Sequence, residues 1–503
     1  MTSETVLFSP LDYVLFALLL FSSALVGIYF GCKKKHVKVD NDYLLGGRSL
    51  SVFPVSASLI ASNVSGILLM ALPADVYQFG ASPLWCGVSI IVGVPLFIYI
   101  YMPVFLNSEY NTIFEYLEIR FDRKVRILSS IFFVSKVLLF NPILVFVPCL
   151  AFAQVTNFSL HAIIIIVCTV CIFYTTIGGL RAVVWVDTLQ TFTMYISFFV
   201  VFGKGLIMNG GFTNMWVTSF KGDRVDIFNF NPDVTDRESF WTIVIGYIGL
   251  FLVTFAANQA TTQRLMSVPT YAQAKKVVWI FFLGILITNT VTVLMGLLVY
   301  THYSGCDPVT TQRILRYDQI LPYFVLDIAK TLPGLPGLFI AGIFSGALSS
   351  LSTFLNSLSG VIYADFLLPF ACIKNKNKDT VLKAIIVVTG LFCIVSVFIV
   401  EQLGGIVPLS ACFVSITGGP LLGLFTLGMT TPRANSKSSL IGGVIGALFV
   451  TWIVIGNNYY RHLGAIEDNS KPASTLNCSI WSNASMTYVL SVFYTFDKIT
   501  KVT

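Results

Sequence analysis

SASLIASNVSGILLMALPADVYQFG, Ser56 to Gly80, is hydrophobic and long enough to cross a bilayer, yet it is crowded with small polar residues. Ser56, Ser58, Ser62, Asn63, Ser65 and Gly66 stand where a lipid-facing helix carries Leu and Ile, and Pro73 is expected to interrupt the outer end. Hydrocarbon offers no water to polar side chains or irregular backbone, so such a segment survives only inside protein or beside a wet cavity. It reads as an interior helix of a bundle, one half of an ion and substrate site.

The rest of the chain agrees with a membrane setting. Of 503 residues, 56% are hydrophobic and 11% charged, with mean hydropathy +0.82, against roughly a quarter charged in soluble domains. Apolar runs near the spanning length predict twelve helices, at 9–31, 50–72, 82–105, 125–153, 161–178, 183–208, 240–262, 277–301, 336–368, 381–400, 405–429 and 438–457. Met1 to Pro10 lacks a basic leader region, so the first run is expected to stay as a span. The apolar run after Asn483 falls short of the spanning length, and it reads as a thirteenth span cut short or as an interfacial segment.

The KKKHVK run after the first span places that loop in the cytosol and the N-terminus outside. Alternating from there, inner loops and helix ends hold most of the 31 Lys and Arg, so the formal charge of +7 follows topology. Basic residues lie between apolar spans rather than along one stripe, which excludes nucleic acid as a partner. Segments 209–239, 302–335 and 458–485 fall outside, and the last carries glycosylation acceptors at Asn477 and Asn483. Cys306 and Cys478 lie in these outer loops, where a disulfide and two free thiols both stay open. Cys149, Cys168, Cys171 and Cys412 sit in apolar runs and read as small hydrophobes, and the four histidines have no ligand spacing.

After the first helix, five spans (48–209) and five more (240–430) form halves of opposite orientation, since an odd number of crossings inverts the second copy. The expected organisation is 1–47 as N-terminus, first flanking helix and basic loop, then the first repeat at 48–209 and an outer loop at 210–239. The second repeat, 240–430, includes the outer loop 302–335, and 431–503 holds a flanking helix, a glycosylatable loop and the short apolar end. Inverted repeats place substrate and coupling ion near the midplane, beside the interrupted first helix of each half. The matching helix of the second half carries TFAANQATTQR, Thr254 to Arg264, again small and polar.

A second polar span, GIFSGALSSLSTFLNSLS from Gly342 to Ser359, repeats Ser345, Ser349, Ser352 and Asn356 at helical spacing. Sodium is a hard cation that takes oxygen ligands, which adjacent hydroxyls and carbonyls freed at an unwound helix supply. Helix packing by small hydroxyl residues is the competing reading.

ADVYQFG, YTTIGGLRAVVWVDTLQ (174–190), NQATTQR (258–264), DQILPYFVLDIAKTLPGLPGLFIAGIFSGALSS (318–350) and GGPLLGLFTLGM (418–429) resemble the solute:sodium symporter family, and within it the monocarboxylate, multivitamin and iodide branch. The resemblance implies an all-α polytopic membrane protein of the leucine-transporter type, a 5+5 inverted repeat with added flanking helices. It also implies sodium ligands at the carbonyls of Ala61, Val64 and Gly346 and at the hydroxyls of Ser349 and Ser350. Asp187 resembles an acidic residue tied to inner ion release, and a salt bridge to Arg181 is the other reading. Asn63, Phe255 and Ser410 fall at substrate-facing positions, although Asn63 and Leu68 depart from the anion-carrying pattern and leave the substrate open.

Lys136 lies about 15 to 18 Å into its span, too deep to face lipid cheaply. It reads as counter-charge for an anionic substrate, or as a lysine that snorkels or pairs internally. The expected activity is sodium-coupled import of a small organic anion, a monocarboxylate or vitamin, by alternating access at a plasma membrane. A sodium-independent carrier and a truncated sensor of the same fold are the alternatives. No enzyme chemistry and no organic cofactor are expected. Partners are the anion, Na+ as the only metal ion and the bilayer, with a homodimer left open.

Overall fold

The computed structural model describes residues 8–33, 42–106, 110, 112–156, 158–330, 332–369, 377–402, 406–463, 470–476 and 478. The described secondary structure is helical throughout. In chain order the spans are α1 (Pro10–Lys33), α2 (Val52–Asn63) with α3 (Gly66–Phe79), α4 (Ser82–Leu106), α5 (Arg123–Val155), α6 (Leu160–Met208), α7 (Phe240–Phe255) with α8 (Gln259–Leu265), α9 (Tyr271–Tyr303), α10 (Leu335–Val361), α11 (Lys378–Gln402), α12 (Ile406–Thr430) and α13 (Ser436–His462).

The 49 residues of α6 would run about 73 Å as one helix, more than twice the hydrocarbon thickness. It is two crossings joined at Gly179, whose φ of 60° and ψ of −159° break the helix. A side chain there would also come within 3.0 Å of the Tyr43 carbonyl, so glycine meets both demands. With α6 split, the described residues supply the twelve expected crossings. The segment proposed as a thirteenth lies outside the described residues.

Each five-helix set opens with a bent pair. The angle between α2 and α3 is 58°, and between α7 and α8 it is 66°. The first break falls at Val64 (φ −90°, ψ 85°), after which Ser65 caps α3 by accepting the Leu68 N–H at 3.3 Å. The second falls before Asn258, which caps α8 by accepting the Ala260 N–H at 3.1 Å. Pro73 does not end its helix, contrary to expectation, and α3 runs on to Phe79. Helices packed around α3 tolerate the proline, and Gly296 of α9 lies directly against the Pro73 carbonyl.

α10 is the axis of the bundle. Its spanning window is 94% buried, against 11% for α13, and it packs on α6, α5, α1 and α2. Outside the bundle Cys306 and Cys478 form a disulfide, which settles the open reading of that pair. It holds a short strap whose Lys471 N–H donates to the Gln78 carbonyl at the outer end of α3. Cys149, Cys168 and Cys171 are buried free thiols, as read from their apolar surroundings, whereas Cys412 is half-buried.

Candidate functional site

The Ile60 carbonyl accepts the Val64 N–H at 2.9 Å, and the three carbonyls after it lack partners within the helix, because the chain turns away after Asn63. α10 crosses at this point. A Cβ on Gly346 would lie 2.6 Å from the Val64 oxygen, so only glycine lets the two backbones approach this closely. The same approach brings Ser350 within reach, and its hydroxyl donates to the Ser62 carbonyl at 3.0 Å and to Gly346 at 2.9 Å.

Hydrogen bonding separates the serines that sequence spacing groups together. Ser345, Ser352, Ser357 and Ser359 each donate to a carbonyl of their own helix. The hydroxyl of Ser349 is buried and has no partner, and both polar atoms of Asn356 are in the same condition. An unpaired buried hydroxyl costs roughly 1–3 kcal/mol, and a hard cation takes oxygen ligands of this kind. The structure thus brings Val64 against Gly346 and Ser350 against the Ser62 carbonyl, which the sequence-based set omitted, with Ala61 buried in the last turn of α2 and Ser349 next to Ser350.

Toward the inner side, Asp187 on the second half of α6 is completely buried. Its partner is Arg264 of α8, at 2.9 Å, in place of the Arg181 pairing considered from sequence. Arg181 instead reaches the Gly46 carbonyl and the Ser49 hydroxyl, because the break at Gly179 turns it toward the preceding loop. Ser58 of α2 donates to Asp187 at 2.5 Å and accepts from Arg264 at 2.6 Å, and Arg264 also donates to Thr353 of α10. One ion pair therefore ties α2, α6, α8 and α10 together below the sodium candidates. Asp187 Oδ1 is left without a hydrogen bond and lies near Ser349. Arg264 was legible as the lone charge in NQATTQR, since a buried arginine requires an acid.

Among the substrate candidates, Asn63 turns its amide nitrogen back onto the Leu59 carbonyl at 2.8 Å. Phe255 ends α7 among Phe251, Phe281, Phe282 and Phe97, with ring centroids 4.7 to 6.1 Å away. Lys136 is 7% exposed, and no hydrogen bond or ion pair joins it to the described residues. It shares a helix face with Phe133 and Phe140, and Phe140 packs on Phe354 of α10. The Ser410 side chain, Asn477 and Asn483 lie outside the described residues.

Beyond the break, α3 and α7 make no extensive contact with each other. The face of α3 that begins at Leu68, itself 39% exposed, continues through half-buried Ala71 to Asp75. Asp75 meets Arg237, just before the start of α7.

Residues 43–446 match the family model described as the sodium:solute symporter family. The sodium-coupled monocarboxylate transporter 2 of Homo sapiens is 36% identical over 481 residues, covering 95% of this chain and 78% of the relative. The Homo sapiens sodium/iodide cotransporter is 32% identical, covering 91% and 72%. In three dimensions the chain resembles a Na+-coupled sialic acid symporter solved in a substrate-bound outward-open state, with TM-score 0.77, 24% identity and coverage of 92% and 99%. It also resembles a nucleobase-cation-symport-1 family transporter in a closed conformation, with TM-score 0.51, 12% identity and coverage of 83% and 96%.

Proposed function

The chain belongs to the sodium:solute symporter family, and on that premise we propose that it imports a small monocarboxylate or similar organic anion together with sodium. Sodium-coupled symport is the activity of the family. The choice of anion is supported by the monocarboxylate and iodide carriers among its relatives. The observation that carries the reading is the unpartnered Ser349 hydroxyl, set beside Ser350 and the freed carbonyls where α10 crosses the break. Sodium bound there would be held by oxygens from both α2 and α10, and so would fix their relative position.

Lys136 supplies the positive charge for the anion. An unpaired lysine deep in a span is costly, and an incoming carboxylate offsets that cost. Asn63, Phe255 and Ser410 complete the proposed substrate-facing set. Inward release follows rupture of the Asp187–Arg264 pair, with Asp187 Oδ1 as the first oxygen that sodium meets on leaving Ser349. Each inward charge gains roughly 2.3 kcal/mol per 100 mV before any concentration gradient. Transport of this kind requires no covalent step.

The membrane is a plasma membrane in this reading, with the N-terminus outside and Asn477 and Asn483 available for glycosylation. The Cys306–Cys478 bridge supports that orientation, because both cysteines lie in segments assigned to the outside and disulfides persist in oxidising compartments.

Uptake of labelled lactate, nicotinate, biotin, pantothenate, iodide and a hexose, in sodium or in choline, tests coupling and substrate together. Sodium-dependent uptake of one anion is expected, and Lys136→Met should abolish it while leaving surface expression in place. Flux that ignores sodium would overturn the reading.

A further inference from the structure

Arg237 stands two residues before Ser239, which precedes α7, and faces the end of α3. Its guanidinium pairs with the Asp75 carboxylate on α3 and lies over the Phe79 ring at 3.8 Å. A second acid, Glu238, has one oxygen 3.8 Å from Arg237 Nε and accepts the Ser82 hydroxyl with the other. The Arg237 side chain is 51% exposed and that of Asp75 33%, whereas the inner pair is 1% and 0% exposed.

A guanidinium presents a flat fork of donors that matches a carboxylate. Asp75 occupies that fork in this structure. From Asp75 the open face of α3 leads down through Ala71 to Leu68, next to the break. We propose that Arg237 receives the substrate carboxylate at the outer mouth, with Asp75 holding the guanidinium until the anion displaces it. Resting on the anion reading above, this makes Arg237 a second recognition point, passed before the anion reaches Lys136.

The exchange costs little on the arginine side, because the Arg237 side chain is half exposed. An exposed ion pair is worth less than about 1 kcal/mol, so an incoming carboxylate replaces one weak contact with another.

The test combines lactate uptake with labelling of a cysteine placed on the Leu68–Asp75 face of α3. Arg237→Gln should raise KM for lactate about two- to fivefold at saturating sodium with Vmax nearly kept, and Arg237→Lys should fall between, having the charge without the fork. Asp75→Asn should lower KM. In an Ala71→Cys background, Asp75→Asn should speed reaction with an impermeant thiol reagent several-fold over the parent. An unchanged KM in Arg237→Gln overturns the receiving role. If the parent shows no sodium-dependent lactate uptake, the anion reading is what has failed for lactate, and labelling decides alone. An Ala71→Cys rate indifferent to Asp75→Asn then overturns the exchange as well.

Discussion

Ser349→Ala and Ser350→Ala separate an ion ligand from a packing hydroxyl, because the two serines differ in what they lose. Ser350 donates to the Ser62 and Gly346 carbonyls, so alanine removes two contacts. Interhelical hydrogen bonds in membranes average about 0.6 kcal/mol, and the loss should be a modest fall in thermal stability. Ser349 donates to nothing, and its buried hydroxyl carries a penalty of roughly 1–3 kcal/mol. Ser349→Ala removes that penalty, so in sodium-free buffer the variant should be as stable as the parent or more so. In sodium the order reverses, since the ion loses one of its few oxygen ligands. A tenfold rise in the sodium concentration for half-maximal uptake corresponds to about 1.4 kcal/mol, a reasonable worth for one ligand. The assay is a thermal-shift series in detergent with sodium or choline, paired with sodium titration of uptake normalised to surface protein. The parent should gain stability from sodium and Ser349→Ala should gain much less. A well-folded Ser349→Ala with parental sodium dependence would refute the ligand assignment and leave the serine as packing.

Gly346→Ala should weaken sodium activation in the same assay, because the added methyl would lie 2.6 Å from the Val64 oxygen and push that carbonyl or α10 aside; parental activation would show that the close approach is dispensable. Arg264→Gln leaves Asp187 as an uncompensated buried charge at a cost of about 3–5 kcal/mol, so surface expression should collapse, and adding Asp187→Asn should restore it; expression of the single variant at parental level contradicts the pairing. Burial holds the Glu238 carboxyl above the ordinary glutamate range against the opposing pull of Ser82, Arg237 and Lys471, while nearby Asp75 pushes it the same way as burial. Mild acid therefore neutralises Glu238 earlier than an exposed glutamate and removes a negative charge beside Arg237. KM for an anion should fall as pH drops through that raised value, and Glu238→Gln should abolish the dependence; a parental pH profile in that variant counts against it.

The spans and the two breaks were legible because each leaves a local mark. A bilayer imposes a length on apolar runs, and a broken helix needs small and polar residues within a few positions of the break. Partners are harder to read. Arg181 is six residues from Asp187, but the turn at Gly179 points it elsewhere, while the true partner lies 77 positions away on α8. Ser345 and Ser349 are one helical turn apart and equivalent by spacing. Only the crossing of α2 shows that Ser345 is spent on its own helix and Ser349 is not. Pro73 misled for the same reason, since its cost depends on neighbours that a local pattern does not contain.

The two arginine pairs share a plan that neither shows alone. Arg237 precedes α7 and Arg264 lies in α8, at opposite ends of the second broken helix. Arg237 bonds to α3, the outer half of the first broken helix, and Arg264 bonds to Ser58 of α2, its inner half. The first and second broken helices are thus tied together once above and once below the sodium candidates. Alternating access requires that both ties never open together. The energetics favour the outer one opening first, because an exposed pair is nearly neutral to break and a buried pair costs several kcal/mol unless another cation compensates the acid. A sodium ion at the proposed Ser349 site would stand beside the unpaired oxygen of Asp187 and would be such a cation. Opening of the inner tie would then depend on sodium having entered, which would link ion to transport without requiring contact between ion and anion.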